Sequence, residues 1–156
     1  MLIRTLIQDD REKIICILKD TRNFSDDEID IAVELLDVYL NNPVQKDYEI
    51  FVDEDVNIRG YVCIGPRPLT EGTYDLYWIA VNPSVQSSGV GSGLINFIEG
   101  HIKNKNGRLV LIETSGKESY EKERRFYEKN NYRLLVNIKD FYKPGDDLIV
   151  YGKYLN

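Results

Sequence analysis

The stretch Thr73–Val81, TYDLYWIAV, limits the possible folds more than any other part of the chain. Read as a strand, it sets Tyr74, Leu76, Trp78 and Ala80 on one face and Tyr77, Ile79 and Val81 on the other. A strand apolar on both faces is covered on both sides, so it belongs in the middle of its sheet. Asn82-Pro83 stops it, the loop 84–88 follows, and Gly89-Val90-Gly91-Ser92-Gly93 opens a helix. The central strand therefore runs directly into a glycine turn and a helix N-terminus.

The other layers follow from periodicity. Residues 2–6 read as a short strand, and 9–20 and 26–41 as helices. In the second helix Ile29, Ala32, Val33, Leu36, Tyr39 and Leu40 recur at helical spacing. Ser25 with Glu28 makes a capping box, and Asn41-Asn42-Pro43 ends the helix. Strands at 48–53 and 58–64 flank a turn at Asp53-Glu54-Asp55, and Gly65-Pro66-Arg67-Pro68 with Glu71-Gly72 makes the longer link to 73–81. A helix near 89–104, a strand near 108–114, a helix near 119–130 and strands near 132–138 and 147–155 complete the order β-α-α-β-β-β-α-β-α-β-β. This predicts an α/β fold (an α+β mixed sheet) with helices on both faces. Helix 89–104 is long enough to cross over between parallel neighbours. No repeat, low-complexity tract or linker divides the chain, so residues 1–156 read as a single domain.

A chain of 156 residues can bury a core without disulfides or a structural metal. Its formal net charge of −6 argues against a general nucleic-acid binder, which needs clustered cations. Cys16 and Cys63 lie in apolar runs and read as buried thiols in a reducing compartment. His101 is the only histidine, too few ligands for zinc, so no metal is expected. No run is apolar for long enough to span a bilayer, and the start Met1-Leu2-Ile3-Arg4 lacks a signal-peptide core. These features read as a soluble, cytoplasmic protein with neither nucleic acid nor membrane as partner.

A helix N-terminus offers free N–H groups and a partial positive charge, and glycines let an anion approach the backbone. Several converging donors suit a pyrophosphate. Two familiar cradles do not fit. A Walker loop needs Gly-Lys-Ser/Thr, but Ser92 follows Gly91 without a lysine. A dinucleotide fingerprint needs a third glycine where Leu94 stands. Taken alone, the glycines also fit a tight turn before a helix.

Ala80-Val81-Asn82-Pro83 followed by Gln86-Ser87-Ser88-Gly89-Val90-Gly91 resembles the acyl-CoA motif Q/R-x-x-G-x-G/A of the GNAT superfamily of N-acetyltransferases. Downstream, Arg124-Arg125-Phe126-Tyr127-Glu128-Lys129-Asn130-Asn131-Tyr132 is similar to the family's A-x-x-F-Y-x-x-x-G-F stretch. Asn131 replaces the usual glycine, and Asn tolerates a left-handed cap. Glu123 and Tyr120 stand where many members have a small residue and an Asn. The resemblance implies a GNAT-like acyl-CoA N-acyltransferase fold and acetyl-CoA as co-substrate. It implies acetyl transfer, by direct attack in a ternary complex, to a primary amine: a protein N-terminus, a lysine or a small molecule. It implies donor contacts from Ile79, Ala80, Val81, Gln86, Ser87, Ser88, Gly89, Val90, Gly91, Ser92, Arg124 and Tyr127, with a strand bulge at Val81. It leaves a homodimer open.

Three chemical jobs follow from that reaction. The Val81 N–H is, by resemblance, the oxyanion donor. Tyr127 is, by resemblance, the general acid that reaches the sulfur, and a phenol carries its proton at neutral pH. Asp75, the single charge in the central strand, falls where some members place a catalytic Glu; burial would strengthen it as a base, whereas exposure at the strand start would make it a plain surface acid. Glu113 is the alternative base, and many relatives deprotonate the amine through water instead. The segment 140–147 resembles a D-F-Y-x-P-G-D-D stretch that borders the acceptor side in a branch of the superfamily. There Tyr142 and Asp75 are substrate-side candidates, and Asp146 and Asp147 either attract an ammonium or punctuate a hairpin. Lys117, Arg124 and Arg125 are, by the same resemblance, placed for the CoA 3′-phosphate. Two other functions share this cradle: a non-catalytic acyl-CoA-binding regulatory module, and a nucleotide-phosphate binder.

Overall fold

Every element expected from periodicity forms, in the expected order. The computed structural model describes residues 2–156. Its elements are β1 Leu2–Thr5, α1 Arg11–Asp20, α2 Asp26–Asn41, β2 Glu49–Glu54, β3 Ile58–Pro66, β4 Thr73–Val81, α3 Val90–Asn104, β5 Leu109–Ser115, α4 Glu121–Lys129, β6 Arg133–Lys143 and β7 Asp146–Tyr154. The seven strands follow the order β1-β2-β3-β4-β5-β7-β6, so β4 is the middle strand as expected, but Tyr77 on its second face stays exposed. The chain divides into two compact units, Met1–Gly65 with Tyr77–Ile98, and Pro66–Leu76 with Glu99–Asn156.

In the first unit β1, β2 and β3 pair antiparallel. Ser25 caps α2 as its sequence predicts: its hydroxyl accepts from the Glu28 N–H at 3.2 Å, and the Glu28 carboxylate accepts from the Ser25 N–H at 3.0 Å. The buried stripes of the two helices, Ile14, Ile17 and Leu18 with Ile29, Ala32 and Leu36, pack with Ile50, Val52, Ile58, Tyr61 and Cys63. Arg11 ties α1 to α2 with two bonds to Asp37, of 2.6 and 3.0 Å. Cys63 is buried as expected, but Cys16 is exposed. Helical spacing explains this correction: Ile14, Ile17 and Leu18 take the inward stripe of α1, and Cys16 falls outside it.

In the second unit the start of β4 runs parallel to β5, with Thr73, Tyr74 and Asp75 opposite Leu109, Val110 and Leu111. β5 and β6 each pair antiparallel with β7. Strands expected at 132–138 and 147–155 are in fact joined by a two-residue turn, with β6 continuing to Lys143 and β7 starting at Asp146. Pro144-Gly145 explains the difference, because proline presets one central φ and Gly145 adopts φ 84°. Asp140 bulges at φ 53°, donates its N–H to Asp147 at 2.9 Å, and accepts from the Gly145 N–H at 2.8 Å. The segment 140–147 is therefore the tip of a β6–β7 hairpin.

Candidate functional site

The first unit holds the glycine loop. Strand β4 ends where the Asn82 N–H donates to the Arg59 carbonyl at 2.7 Å. The Asn82 side chain then accepts from the Ser84 N–H at 3.0 Å and starts a single 3-10 turn, Pro83–Val85. Ser87 at φ 64° and Gly89 at φ 90° both sit in the left-handed region, which is costly for Ser87 and free for glycine. Strain of this kind is retained where a particular backbone shape is needed. Helix α3 begins at Val90, and its first i→i−4 bond is Gly93 N–H to Gly89 carbonyl at 2.9 Å. The N–H groups of its first turn therefore lack intrahelical acceptors.

What holds this turn in place is the packing beneath it. Val90 and Leu94 are buried, and a Cβ on Gly60 of β3 would lie 3.3 Å from each and 2.9 Å from the Ala80 carbonyl oxygen. Gly60 is thus what lets the first turn of α3 settle onto the sheet. Gln86, Ser87, Ser88 and Gly89 are exposed, while Ile79, Val81, Gly91 and Ser92 are half-buried and Ala80 is buried. Of the expected donor-binding residues, Val90 offers its backbone alone; its side chain is the anchor.

The second unit holds Tyr127. Its side chain is buried on α4, ringed by Phe126, Tyr132 and Tyr151 at centroid distances of 5.6, 6.5 and 6.1 Å. Tyr132 donates its hydroxyl to Glu99 and Tyr151 to Glu128, each at 2.8 Å. Burial, and after it the charge of Glu123, pushes the Tyr127 phenol well above its ordinary value. Tyr127 is therefore held protonated. Asn131 adopts φ 68°, so the asparagine serves where a glycine is usual.

Both expected bases meet one arginine that the sequence reading passed over as part of a turn. Arg67 Nη2 donates to Asp75 at 2.8 Å and lies 3.6 Å from Glu113. Asp75 is buried, whereas the Glu113 side chain is 51% exposed. An arginine just past the end of a strand, two residues from a glycine and flanked by prolines, was the available signal.

The remaining cations and acids of this unit are largely engaged. Arg124 Nη1 donates to the carbonyls of Ser115 and Lys117 at 2.8 and 2.7 Å, strapping α4 to the end of β5. Arg125 pairs with Glu121 on the helix surface. Asp146 is buried, accepts from the Ser115 hydroxyl and lies 3.6 Å from Lys117 Nζ. It ties the start of β7 to the end of β5, while Tyr142 is half-exposed and packs edge-on against Phe141 at 5.0 Å. Among the described residues no cluster of His, Cys, Asp and Glu is arranged to hold a metal. Among the same described residues no helix is long and apolar enough to cross a membrane.

A helix start behind a left-handed turn has the free N–H groups a phosphate ligand needs, and a buried, protonated phenol can donate a proton. Comparisons with known proteins identify the family. The family model of the acetyltransferase (GNAT) domain matches residues 46–134. A protein from Desulfovibrio desulfuricans, described as an acetyltransferase of the GNAT family, is 38% identical, with a TM-score of 0.93 over 99% of both chains. The fold is shared with an aminoglycoside 6′-N-acetyltransferase complexed with coenzyme A, at TM-score 0.76 and 16% identity over 100% of this chain and 98% of that one. It is shared as well with the ribosomal-protein-S18-alanine N-acetyltransferase of Escherichia coli, at TM-score 0.75 and 15% identity over 99% and 94%. None of the curated proteins matches the chain. With the family model over more than half of its length and a near-full-length relative at 38% identity, the chain belongs to the GNAT family of acetyltransferases.

Proposed function

We propose that the whole chain acts as one N-acetyltransferase domain that moves an acetyl group from acetyl-CoA to a primary amine by direct attack in a ternary complex. The observation that carries this reading is the left-handed turn at Ser87 and Gly89, which leads into the unpaired N–H groups of α3. That cradle has the charge and donor geometry for the donor's pyrophosphate. Gln86, Ser87, Ser88, Gly89, Val90, Gly91 and Ser92 supply it, and Ile79, Ala80 and Val81 line the approach. A structural neighbour in complex with coenzyme A supports the choice of ligand.

Acetyl-CoA supplies the thioester carbonyl: the amine nitrogen bonds to its carbon, the carbon–sulfur bond breaks, and the sulfur leaves with the electron pair. The Val81 N–H steadies the negative oxygen. Tyr127 gives its proton to the sulfur, a role supported by the protonated state that its burial enforces. For the amine's surplus proton we carry two carboxylates, Asp75 and Glu113. Both lie beside Arg67, and Glu113 is the more accessible and the more loosely held of the two, at 3.6 Å against 2.8 Å for Asp75. Tyr142 serves the acceptor. Arg124 is read as holding the donor-binding end of α4 in place, through the two carbonyls it ties together.

The test is calorimetry with CoA, acetyl-CoA, ATP and NAD, followed by CoA-SH release against a panel of amines. Binding of CoA and acetyl-CoA with turnover of an amine is expected. Binding of ATP in preference to CoA would sink the proposal, and CoA binding with no turnover on any amine would leave a regulatory module.

A further inference from the structure

Three strands of the second unit carry an open apolar shelf beside Glu113. Glu113 on β5 lies opposite Val150 on β7, and Val150 lies opposite Val136 on β6, so the three side chains project from one sheet face. One row along that face stands Ile138, opposite Leu148, and one row the other way stands Gly152, opposite Leu111. A Cβ on Gly152 would collide with Leu135 and lie 3.2 Å from Leu111, so the missing side chain lets both leucines lean over β7. Leu135, Val136 and Ile138 are 43%, 42% and 44% exposed, and Val150 is half-buried. Apolar side chains left this open, grouped on one face, mark a surface that receives a ligand or partner.

Charge decides which ligand. Among the described residues of these rows, Glu113 is the only carboxylate, and its side chain is 51% exposed. Arg133, opposite Gly152, is the only cation on the same rows. The face therefore offers one carboxylate to one ammonium, and apolar surface beyond it. A second ammonium would give up water to valines and draw near Arg133, which costs rather than gains. We infer that the acceptor is a primary amine with a single charge on an apolar body, its nitrogen at Glu113 and its alkyl or aryl group laid across Val150 and Val136 toward Ile138. The inference rests on the reading above that Glu113 takes the amine's proton. Neighbouring strands lie about 4.8 Å apart, so the shelf runs roughly 10 Å from Glu113 to Val136, the span of a chain of about six to eight carbons. Amines that carry several charges fit it poorly.

Release of CoA-SH from acetyl-CoA by the full chain tests this with propylamine, hexylamine, 6-aminohexanol and 1,6-diaminohexane as acceptors. Wild type is expected to show kcat/KM about tenfold higher for hexylamine than for propylamine, less than three fully buried methylenes give, because the shelf covers one side only. Most of that gain is expected to vanish when a hydroxyl or a second ammonium ends the chain. Val136→Asp and Ile138→Asp are expected to bring the ratio of hexylamine to propylamine close to one. Val136→Thr and Ile138→Thr keep a β-branched strand residue, and should lower the ratio by about two- to threefold even where the aspartates do not fold. A wild-type ratio near one, faster turnover of the diamine than of hexylamine, or a ratio that no variant changes would overturn the inference. So would sedimentation showing a wild-type dimer that Val136→Asp splits with the ratio unchanged, since the shelf would then belong to a second copy of the chain. Wild type that turns over none of these or other amines would instead strike the N-acetyltransferase reading on which the inference rests.

Discussion

Arg67 and Asp75 are joined by a 2.8 Å bond from Nη2 to Oδ1, in which a buried carboxylate is neutralised by a guanidinium whose side chain is 41% exposed. The same nitrogen is 3.6 Å from Glu113 on β5. One cation therefore answers two carboxylates, and its removal leaves the buried one without a counter-charge.

Arg67→Ala is expected to destabilise the protein by about 2 kcal/mol, less than the 3–5 kcal/mol typical of a broken buried pair because Arg67 is partly in solvent. Chemical denaturation at pH 7 measures it. Glu113→Gln, at an exposed site, should leave stability within about 0.5 kcal/mol of wild type. On the reading that Glu113 takes the amine's proton, it lowers kcat/KM by about a hundredfold. An unchanged kcat/KM in Glu113→Gln, with a large loss in Asp75→Asn beyond what its stability explains, would return the base to Asp75.

A second ion pair sets acid stability. Asp10 is fully buried and accepts two bonds from Arg4, of 2.7 and 3.0 Å, and one from the Ile7 N–H at 3.0 Å. Burial alone would raise its carboxyl, but the Arg4 bonds and the Ile7 N–H outweigh burial and hold it below the usual carboxylate value. A carboxyl lowered on folding adds stability above its unfolded pKa, near 3.9, and that contribution disappears as pH falls through the folded value. Asp10→Asn is expected to cost about 3 kcal/mol at pH 7, roughly 6–12 °C in Tm. The gap between variant and wild type should narrow below about pH 4. A gap that stays constant down to pH 2 would show that the contribution is not the ion pair.

What the sequence disclosed and what it hid divide along a physical line. Patterns that depend on chain-local preference were legible: the capping box at Ser25 and Glu28, the two apolar faces of β4, and the Asn131 cap. The hairpin at Pro144-Gly145 was half legible, since the dipeptide signals a turn, but the bulge at Asp140 that lets β6 run on to Lys143 depends on pairing with β7. Arg67 stayed hidden because its meaning lies in Asp75 and Glu113, which only the parallel register of β4 and β5 brings together. Cys16 was misplaced because its neighbours are apolar all round, and only the packing of α1 chooses which of them face inward.

Gly89 should prove costly to replace for a reason other than space. A Cβ there meets nothing within 4 Å, yet φ 90° is a conformation that alanine resists. Gly89→Ala is expected to lose about 1–2 kcal/mol of stability. If the left-handed turn forms the phosphate cradle, CoA binding weakens at least tenfold as well, since relaxing φ swings the first N–H groups of α3 away. Gly60→Ala is expected to strain the same turn from beneath, because its Cβ would lie 2.9 Å from the Ala80 carbonyl oxygen and 3.3 Å from the Val90 and Leu94 side chains. Loss of stability without loss of CoA affinity in Gly89→Ala would place the phosphates elsewhere.

On the reading that Tyr127 is the general acid, Tyr127→Phe removes the proton donor and little else. The ring stays among Phe126, Tyr132 and Tyr151, so stability should change by about 1 kcal/mol or less. CoA affinity is expected to hold within about threefold, while kcat falls by about 10²–10³ because the sulfur leaves without a proton. The pH profile supplies a second check. Burial raises the phenol, so the proton-bearing form persists past the pH near 10 at which an ordinary tyrosine ionises. Wild-type kcat should therefore show no alkaline decline that is lost in Tyr127→Phe anywhere below about pH 10. A decline near pH 8 or 9 that vanishes in Tyr127→Phe would mean that the phenol ionises far more easily than its buried position permits. A kcat unaffected by the substitution would remove Tyr127 from the chemistry and leave it as part of the α4 core.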